Sequence, residues 1–160
     1  PCPLEPTLQR LELKVPPVVV FLAIGVAMWL VAKQVPQAAV DIPRSLPVAV
    51  AFTLAAAWLG VKAILDFRRS GTTVHPHTPE KASTVVADGV YRYTRNPMYL
   101  ALAVALLAWA VRLGNVAAFA GVPAFVAYMT RFQVKPEERV LAEKFGAPYR
   151  EYMQTVRRWV

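Results

Sequence analysis

Four long apolar blocks constrain this 160-residue chain more than any other feature of its sequence. The blocks cover residues 15–32, 45–61, 97–111 and 113–130, and charged residues flank them. A helix that crosses a bilayer needs about 17–25 mostly apolar residues, and the first, second and fourth blocks reach that length. The third block is shorter, but Arg112 can extend its guanidinium to the headgroups while its stem stays among the acyl chains.

These blocks predict an all-α polytopic membrane protein with four transmembrane helices and a cytoplasmic helical C-terminal segment. We expect one domain of residues 1–160, with spans at about 15–32, 45–65, 97–112 and 113–131. The alternative is a soluble helical bundle, but four such blocks leave too little polar surface for one. The lipid bilayer is therefore the first partner that the sequence predicts.

The composition excludes several other classes of protein. With 56% apolar residues the chain is too hydrophobic for intrinsic disorder. Its one cysteine, Cys2, excludes a disulfide scaffold. The formal net charge of +8 could suggest a nucleic-acid partner, but the basic residues are separated by long apolar blocks, so we expect none.

The basic residues lie mainly on one side of the predicted membrane. Most of the 18 lysines and arginines fall in the N-terminal segment, in residues 66–96 and in residues 131–160. The opposite side has only Lys33, Arg44 and Arg112. The positive-inside rule then predicts a multi-pass protein, in the inner membrane if the source is bacterial, with both termini and the loop of residues 66–96 in the cytoplasm.

The two long cytoplasmic segments, residues 66–96 and 132–160, are expected to meet because spans three and four form a helical hairpin. Asn96 and Pro97 have the pattern of an N-cap followed by the first residue of a helix. In the tail we expect one helix from Pro136 to Gly146 and another after it. The adjacent carboxylates Glu137 and Glu138 would be costly beside a membrane unless cations or donors met them.

His75 and His77 are the only histidines, and no cysteine or acidic cluster accompanies them. Two histidines alone make a poor metal site, so we expect no metal. The chain also has no G-x-G-x-x-G sequence, so we expect no Rossmann sheet.

Two motifs resemble those of one known superfamily. Residues 89–100, GVYRYTRNPMYL, resemble the G-x-Y-x-x-x-R-H-P-x-Y signature of the isoprenylcysteine carboxyl methyltransferase and phospholipid methyltransferase superfamily. Residues 137–152 resemble its second motif, E-E-x-x-L-x-x-x-F-G-x-x-Y-x-x-Y. Asn96 stands where the family most often has histidine, and an asparagine side chain cannot titrate.

The resemblance implies S-adenosyl-L-methionine as methyl donor and a site on the cytoplasmic surface. The resemblance and the chemistry of the donor together assign these cofactor-binding residues: His77, Ser83, Thr84, Val85, Val86, Tyr91, Arg95, Asn96, Pro97, Met98, Tyr99, Glu137 and Glu138. Glu137 and Glu138 are also the catalytic candidates if the acceptor must lose a proton. By resemblance, Arg131 would orient a carboxylate acceptor.

The predicted function is methyl transfer at the membrane interface to a lipidic or small acceptor, most like isoprenylcysteine carboxyl O-methylation. A prenylated cysteine, a phospholipid amine and a small thiol are all compatible acceptors. One alternative is an NADPH-dependent membrane reductase related to sterol reductases, whose C-terminal region carries a similar R-x-P-x-Y corner. Another is a non-catalytic membrane protein, although the apolar blocks lack the ionisable residues that transport pathways usually contain.

Overall fold

A computed structural model describes residues 12–41, 45–70 and 85–160 of the chain. Every secondary-structure element of three or more residues in these ranges is helical, which confirms the all-α prediction. The α-helices, in chain order, are α1 (Pro17–Gln34), α2 (Ser45–Arg69), α3 (Pro97–Leu113), α4 (Gly121–Met129), α5 (Lys135–Phe145) and α6 (Ala147–Thr155).

Two of these helices, α1 and α2, are long and apolar enough to cross a membrane. Most of their surface is exposed in the isolated chain, including Leu22, Leu54 and Trp58. Such side chains would be costly in water, so this pattern fits helices that face lipid. α3 is apolar but has only 17 residues. The structure therefore supports two of the four predicted spans by length and composition.

The fourth predicted span, residues 113–131, is not one uninterrupted α-helix. Val116–Ala120 forms a 3₁₀ turn, α4 follows it, and Thr130–Val134 is a π-helical turn that runs directly into α5. The tail helix predicted from Pro136 to Gly146 is present as α5, but no break separates it from the π turn that precedes it. A π turn adds a residue to the helical repeat, which no apolar periodicity in the sequence signals.

The predicted hairpin between α3 and α4 is present. Gly114 ends α3 with a left-handed backbone (φ +57°), and the Asn115 Oδ1 accepts from the N–H groups of Ala117 and Ala118 at 3.0 and 3.3 Å. The Asn115 Nδ2 also donates to the carbonyl of Val35 at the end of α1, at 2.8 Å. The buried Asn115 therefore joins the two helical connections at this end of the molecule.

The main core lies where α1, α3 and α4 pack together. Its most deeply buried side chains are Leu106, Phe125, Met129 and Val134. α2 packs along α3 beside this core, and small residues such as Ala63 allow the close approach. This packing brings the start of α3 and the start of α5 to one end of the bundle, where the two sequence motifs lie.

Candidate functional site

The first motif approaches α3 through a short 3₁₀ turn, Gly89–Arg92. Pro97 is the first residue of α3, as predicted, because its fixed φ suits that position and the residue needs no N–H donor there. Asn96 occupies the predicted N-cap position, but its side chain makes no capping hydrogen bond, which corrects that part of the prediction. Its Nδ2 instead donates to the carbonyl of Arg158 at 2.9 Å, so this amide holds the C-terminal segment.

The two adjacent carboxylates of α5 have different surroundings. The Glu137 Oε1 accepts from the Tyr99 hydroxyl at 2.6 Å and from the Gln133 Nε2 at 3.0 Å. Burial raises the pKa of Glu137 from 4.5 to about 7, the charge of Glu138 adds to this, and the two hydrogen bonds partly oppose it. Glu137 can therefore change protonation state near neutral pH.

Glu138, in contrast, is neutralised by two arginines. The Arg158 Nε and Nη2 donate to its two oxygens at 3.0 and 2.7 Å, and the Arg95 Nη2 lies 3.2 Å from Oε1. The bidentate bond raises the pKa of Arg158. Glu138 is thus ion-paired with two arginines. Among the described residues, Glu137 accepts hydrogen bonds from uncharged donors only.

Arg95 is a buried arginine whose hydrogen-bonding capacity is only partly used. Its side chain is 9% exposed, and its Nε and Nη1 atoms have no acceptor within the described part of the chain. A buried guanidinium donor without an acceptor is unfavourable, because the N–H group has lost water and gained nothing. These two donors are therefore suited to an anionic group of a ligand.

The C-terminal segment completes this arrangement, and sequence reasoning missed it. The backbone N–H of Arg95 donates to the backbone carbonyl of Arg157 at 3.0 Å, and the Trp159 Nε1 donates to the Thr130 Oγ1 at 3.0 Å. Arg158 supplies the main partner of Glu138. The adjacent arginines near the C-terminus were the available signal, but a topology argument explains them equally well, so they gave no reason to select Arg158.

Gln133 is the second functional residue that the sequence did not indicate. It is buried within the π turn and bonds to Glu137, four residues later. Arg131, in the same turn, instead bonds to Glu12 at 2.6 Å. Among the described residues no hydrogen bond or ion pair links Arg131 to Tyr99 or to either carboxylate of α5, so the structure does not join it to that cluster.

Glu12 reaches Arg131 because the neighbouring Leu13 is hydrogen-bonded to the π turn. The Leu13 N–H donates to the carbonyl of Phe132 at 3.0 Å. In a regular helix that carbonyl would accept from residue 136, but Pro136 has no N–H to donate. Glu12 also forms an ion pair with Arg139, so two arginines share this one carboxylate.

Tyr91 is buried between α2 and α6. Its ring lies 5.9 Å from that of Phe67, and its carbonyl accepts from the Tyr152 hydroxyl at 2.7 Å, which joins the two motifs. Burial raises the pKa of Tyr91 well above its ordinary value. Val86 and Met98 pack against the same cluster. The other predicted cofactor residues are Val85, which is half-buried, and His77, Ser83 and Thr84, which lie outside the described residues.

Asp66 of α2 fixes the turn that carries Tyr91. Its Oδ2 accepts from the Val90 N–H at 3.0 Å, and its Oδ1 lies 2.5 Å from the Lys62 Nζ. Gly89 packs directly on this carboxylate with φ +61°, and a Cβ there would overlap Asp66. The glycine of the first motif is therefore required by both its backbone conformation and its space.

Replacement of Gly89 by alanine is expected to destabilise the protein by at least about 1–3 kcal/mol, which is the usual cost of a strained backbone. Overlap with Asp66 adds to this cost. The same substitution at Gly25, where a Cβ would lie 3.9 Å from Leu106, should leave stability unchanged or raise it. Thermal unfolding in mild detergent measures both, and equal midpoints for the two variants would contradict the prediction.

The fold and the site together define a class of protein: an all-helical membrane protein with a polar cluster at one end of its bundle. The sequence profile of the phospholipid methyltransferase family matches residues 45–148, which is more than half of the chain. The chain therefore belongs to the phospholipid methyltransferase family, and this places it among membrane methyltransferases. The superfamily resemblance of the two motifs is thereby confirmed.

A shorter protein also matches part of this chain. An uncharacterized protein of Haemophilus influenzae (strain ATCC 51907 / DSM 11121 / KW20 / Rd) is 49% identical to this chain over 63 residues. These residues are 39% of this chain and the whole length of that protein. No solved structure matches the chain.

Proposed function

We propose that the protein transfers a methyl group from S-adenosyl-L-methionine to a lipidic or small acceptor at the cytoplasmic face of the membrane. In this arrangement the protein has four membrane-spanning segments, with the third and fourth formed by α3 and by the helical run around α4. The observation that carries the proposal is the buried Arg95, whose Nη2 lies 3.2 Å from the Glu138 Oε1 while its Nε and Nη1 have no acceptor among the described residues.

The residues present fit this donor. Its α-carboxylate can accept from one of the two Arg95 nitrogens, Nε or Nη1, that have no acceptor among the described residues. Glu137 has acceptor capacity left for a ribose hydroxyl or an ammonium group, since one oxygen receives both hydrogen bonds. When bound, the donor supplies a methyl group on a strongly activated sulfonium, so the protein contributes mainly position and electrostatics.

Two kinds of acceptor place different demands on these residues. An amine or a thiol must lose a proton, and Glu137 is positioned to take it because its pKa lies near neutrality. A carboxylate acceptor needs no base, and a prenylcysteine carboxylate would instead use Arg131 and Arg139. This pair already binds a carboxylate, that of Glu12, which such an acceptor would have to displace.

The donor site can be tested by calorimetry with S-adenosylhomocysteine, which retains the α-carboxylate and the ribose. We expect Arg95→Gln to weaken binding about ten- to a hundredfold, which corresponds to the loss of a charge-assisted hydrogen bond. Arg92→Gln is the matched control, since Arg92 lies three residues earlier in the first motif but is exposed. It should bind as the unmodified protein does.

Two outcomes of this calorimetry would contradict the donor site. If the unmodified protein in several mild detergents binds no S-adenosylhomocysteine, the proposed donor is wrong. If Arg95→Gln and Arg92→Gln weaken binding equally, the donor can stand but Arg95 is not its carboxylate partner. Unfolding midpoints of both variants show whether a loss of binding reflects a loss of fold.

A further inference from the structure

A second site lies at the opposite end of the bundle from the carboxylate pair. A groove of about 700 Å³ is formed by α1, α2 and α3, within the roughly 300–1,000 Å³ usual for ligand sites. Its walls are apolar and include Leu22, Leu46 and Ala105. Arg112, the last cation of α3, lines the groove as well, about 20 Å along the helix from Tyr99 at 1.5 Å per residue.

The mouth of this groove is aromatic and basic. Trp29 and Trp109 line it and remain 40% and 38% exposed. The Trp109 Nε1 donates to the carbonyl of Gly25 at 3.0 Å, which fixes this indole between α1 and α3. The Lys33 Nζ lies 4.5 Å from the centre of the Trp29 ring, so a second cation lies beside a tryptophan that lines the groove.

Neither cation has an anionic partner within the described part of the chain. In residues 12–41, 45–70 and 85–160, neither Lys33 nor Arg112 forms an ion pair. The groove therefore combines an apolar channel at membrane depth with two positive charges at its end. Tryptophan and basic residues at the end of an apolar helix mark the headgroup level of a bilayer.

We propose that this groove binds one anionic phospholipid, with an acyl chain between α1 and α2 and its phosphate at Arg112 and Lys33. Charge selects the occupant: a second copy of the chain would bring further cations to the mouth, because α1 and α3 both end in basic residues there. A zwitterionic lipid would fill the channel equally well but would place its own cation near Arg112. The site is separate from methyl transfer and does not rest on the proposed function.

Native mass spectrometry of the full chain tests this binding. The purified protein in mild detergent receives equal amounts of phosphatidylglycerol and phosphatidylcholine. We expect one retained phosphatidylglycerol per chain and at least fivefold less phosphatidylcholine. Arg112→Gln should remove most of this preference, while Arg112→Lys should keep it. Arg150→Gln, an equal loss of charge on the exposed surface of α6, should behave as the unmodified protein does.

A groove-filling variant, Ala105→Phe, is expected to reduce retention of both lipids. Its binding of S-adenosylhomocysteine should stay unchanged, so failure of the lipid site and failure of the donor site are distinguishable. Equal retention of the two lipids by the unmodified protein would overturn the proposal, as would a phosphatidylglycerol adduct that persists in Arg112→Gln. A dimer that excludes lipid would also overturn it. If Ala105→Phe does not fold, the Arg112 variants decide the outcome.

Discussion

Replacement of Glu138 by alanine is expected to lower the free energy of unfolding by about 3–5 kcal/mol, the usual cost of removing one partner of a buried ion pair. The Glu138 side chain is 8% exposed, and its loss leaves Arg95 with no described acidic partner and Arg158 without its bidentate bond. Denaturant unfolding in mild detergent measures the change. Glu143→Ala is the matched control, because Glu143 is exposed on the same helix and should cost less than about 0.5 kcal/mol.

A double-mutant cycle separates the ion pair from general damage to α5. Because Glu138 and Arg158 contact each other, the loss in Glu138→Ala/Arg158→Ala should be smaller than the sum of the two single losses. Strict additivity would show that the bidentate contact does not stabilise the fold. Equal destabilisation by Glu138→Ala and Glu143→Ala would likewise contradict the buried pairing.

Glu137→Gln is expected to have the largest effect on activity. With an amine or thiol acceptor we expect kcat to fall by about 10²–10⁴, the usual contribution of a general base. With a carboxylate acceptor kcat should change by only a few fold, since no proton is removed. Glutamine keeps the size of the side chain and an oxygen for the Tyr99 hydroxyl, so kcat measured at saturating donor reports the loss of the titrating group rather than a change in donor affinity.

The pH dependence of the same reaction gives a second readout. Burial raises the pKa of Glu137 to about 7, so the carboxylate form that accepts a proton increases as the pH rises through that value. With an amine or thiol acceptor, activity should rise with a midpoint near pH 7, and this midpoint should be absent in Glu137→Gln. An equal loss of kcat for all acceptors, with the midpoint retained, would exclude Glu137 as the base.

The sequence patterns that predicted structure correctly were those whose effect depends on neighbouring residues in the chain. Uninterrupted apolar runs predicted α1 and α2, because a chain in lipid must form all its backbone hydrogen bonds internally and a helix does so. Gly146 ends α5 with a positive φ, and α6 follows at once, as the glycine and the proline after it indicated. Asn115 and Gly114 made the hairpin between α3 and α4 predictable for the same reason.

The identity of the partners within the site could not be predicted in this way. The sequence placed Glu137 and Glu138 opposite the start of α3, but only the packed chain assigns Tyr99 to one carboxylate and Arg95 to the other. Gln133 contributes because the π turn changes the direction of successive side chains. Helical periodicity assumes a constant repeat, so it cannot anticipate that change.

The sequence by itself determined the helical class, the two apolar membrane-length helices, the hairpin and the motif residues of the family. Each of these depends on a residue and its near neighbours in the chain. The tertiary structure alone decided that Arg158 neutralises Glu138, that Glu12 forms an ion pair with Arg131, and that the pKa of Glu137 is raised to near neutrality. These properties depend on burial and on contacts between residues far apart in sequence, because removal of water sets the free energy of a charge and only packing removes it.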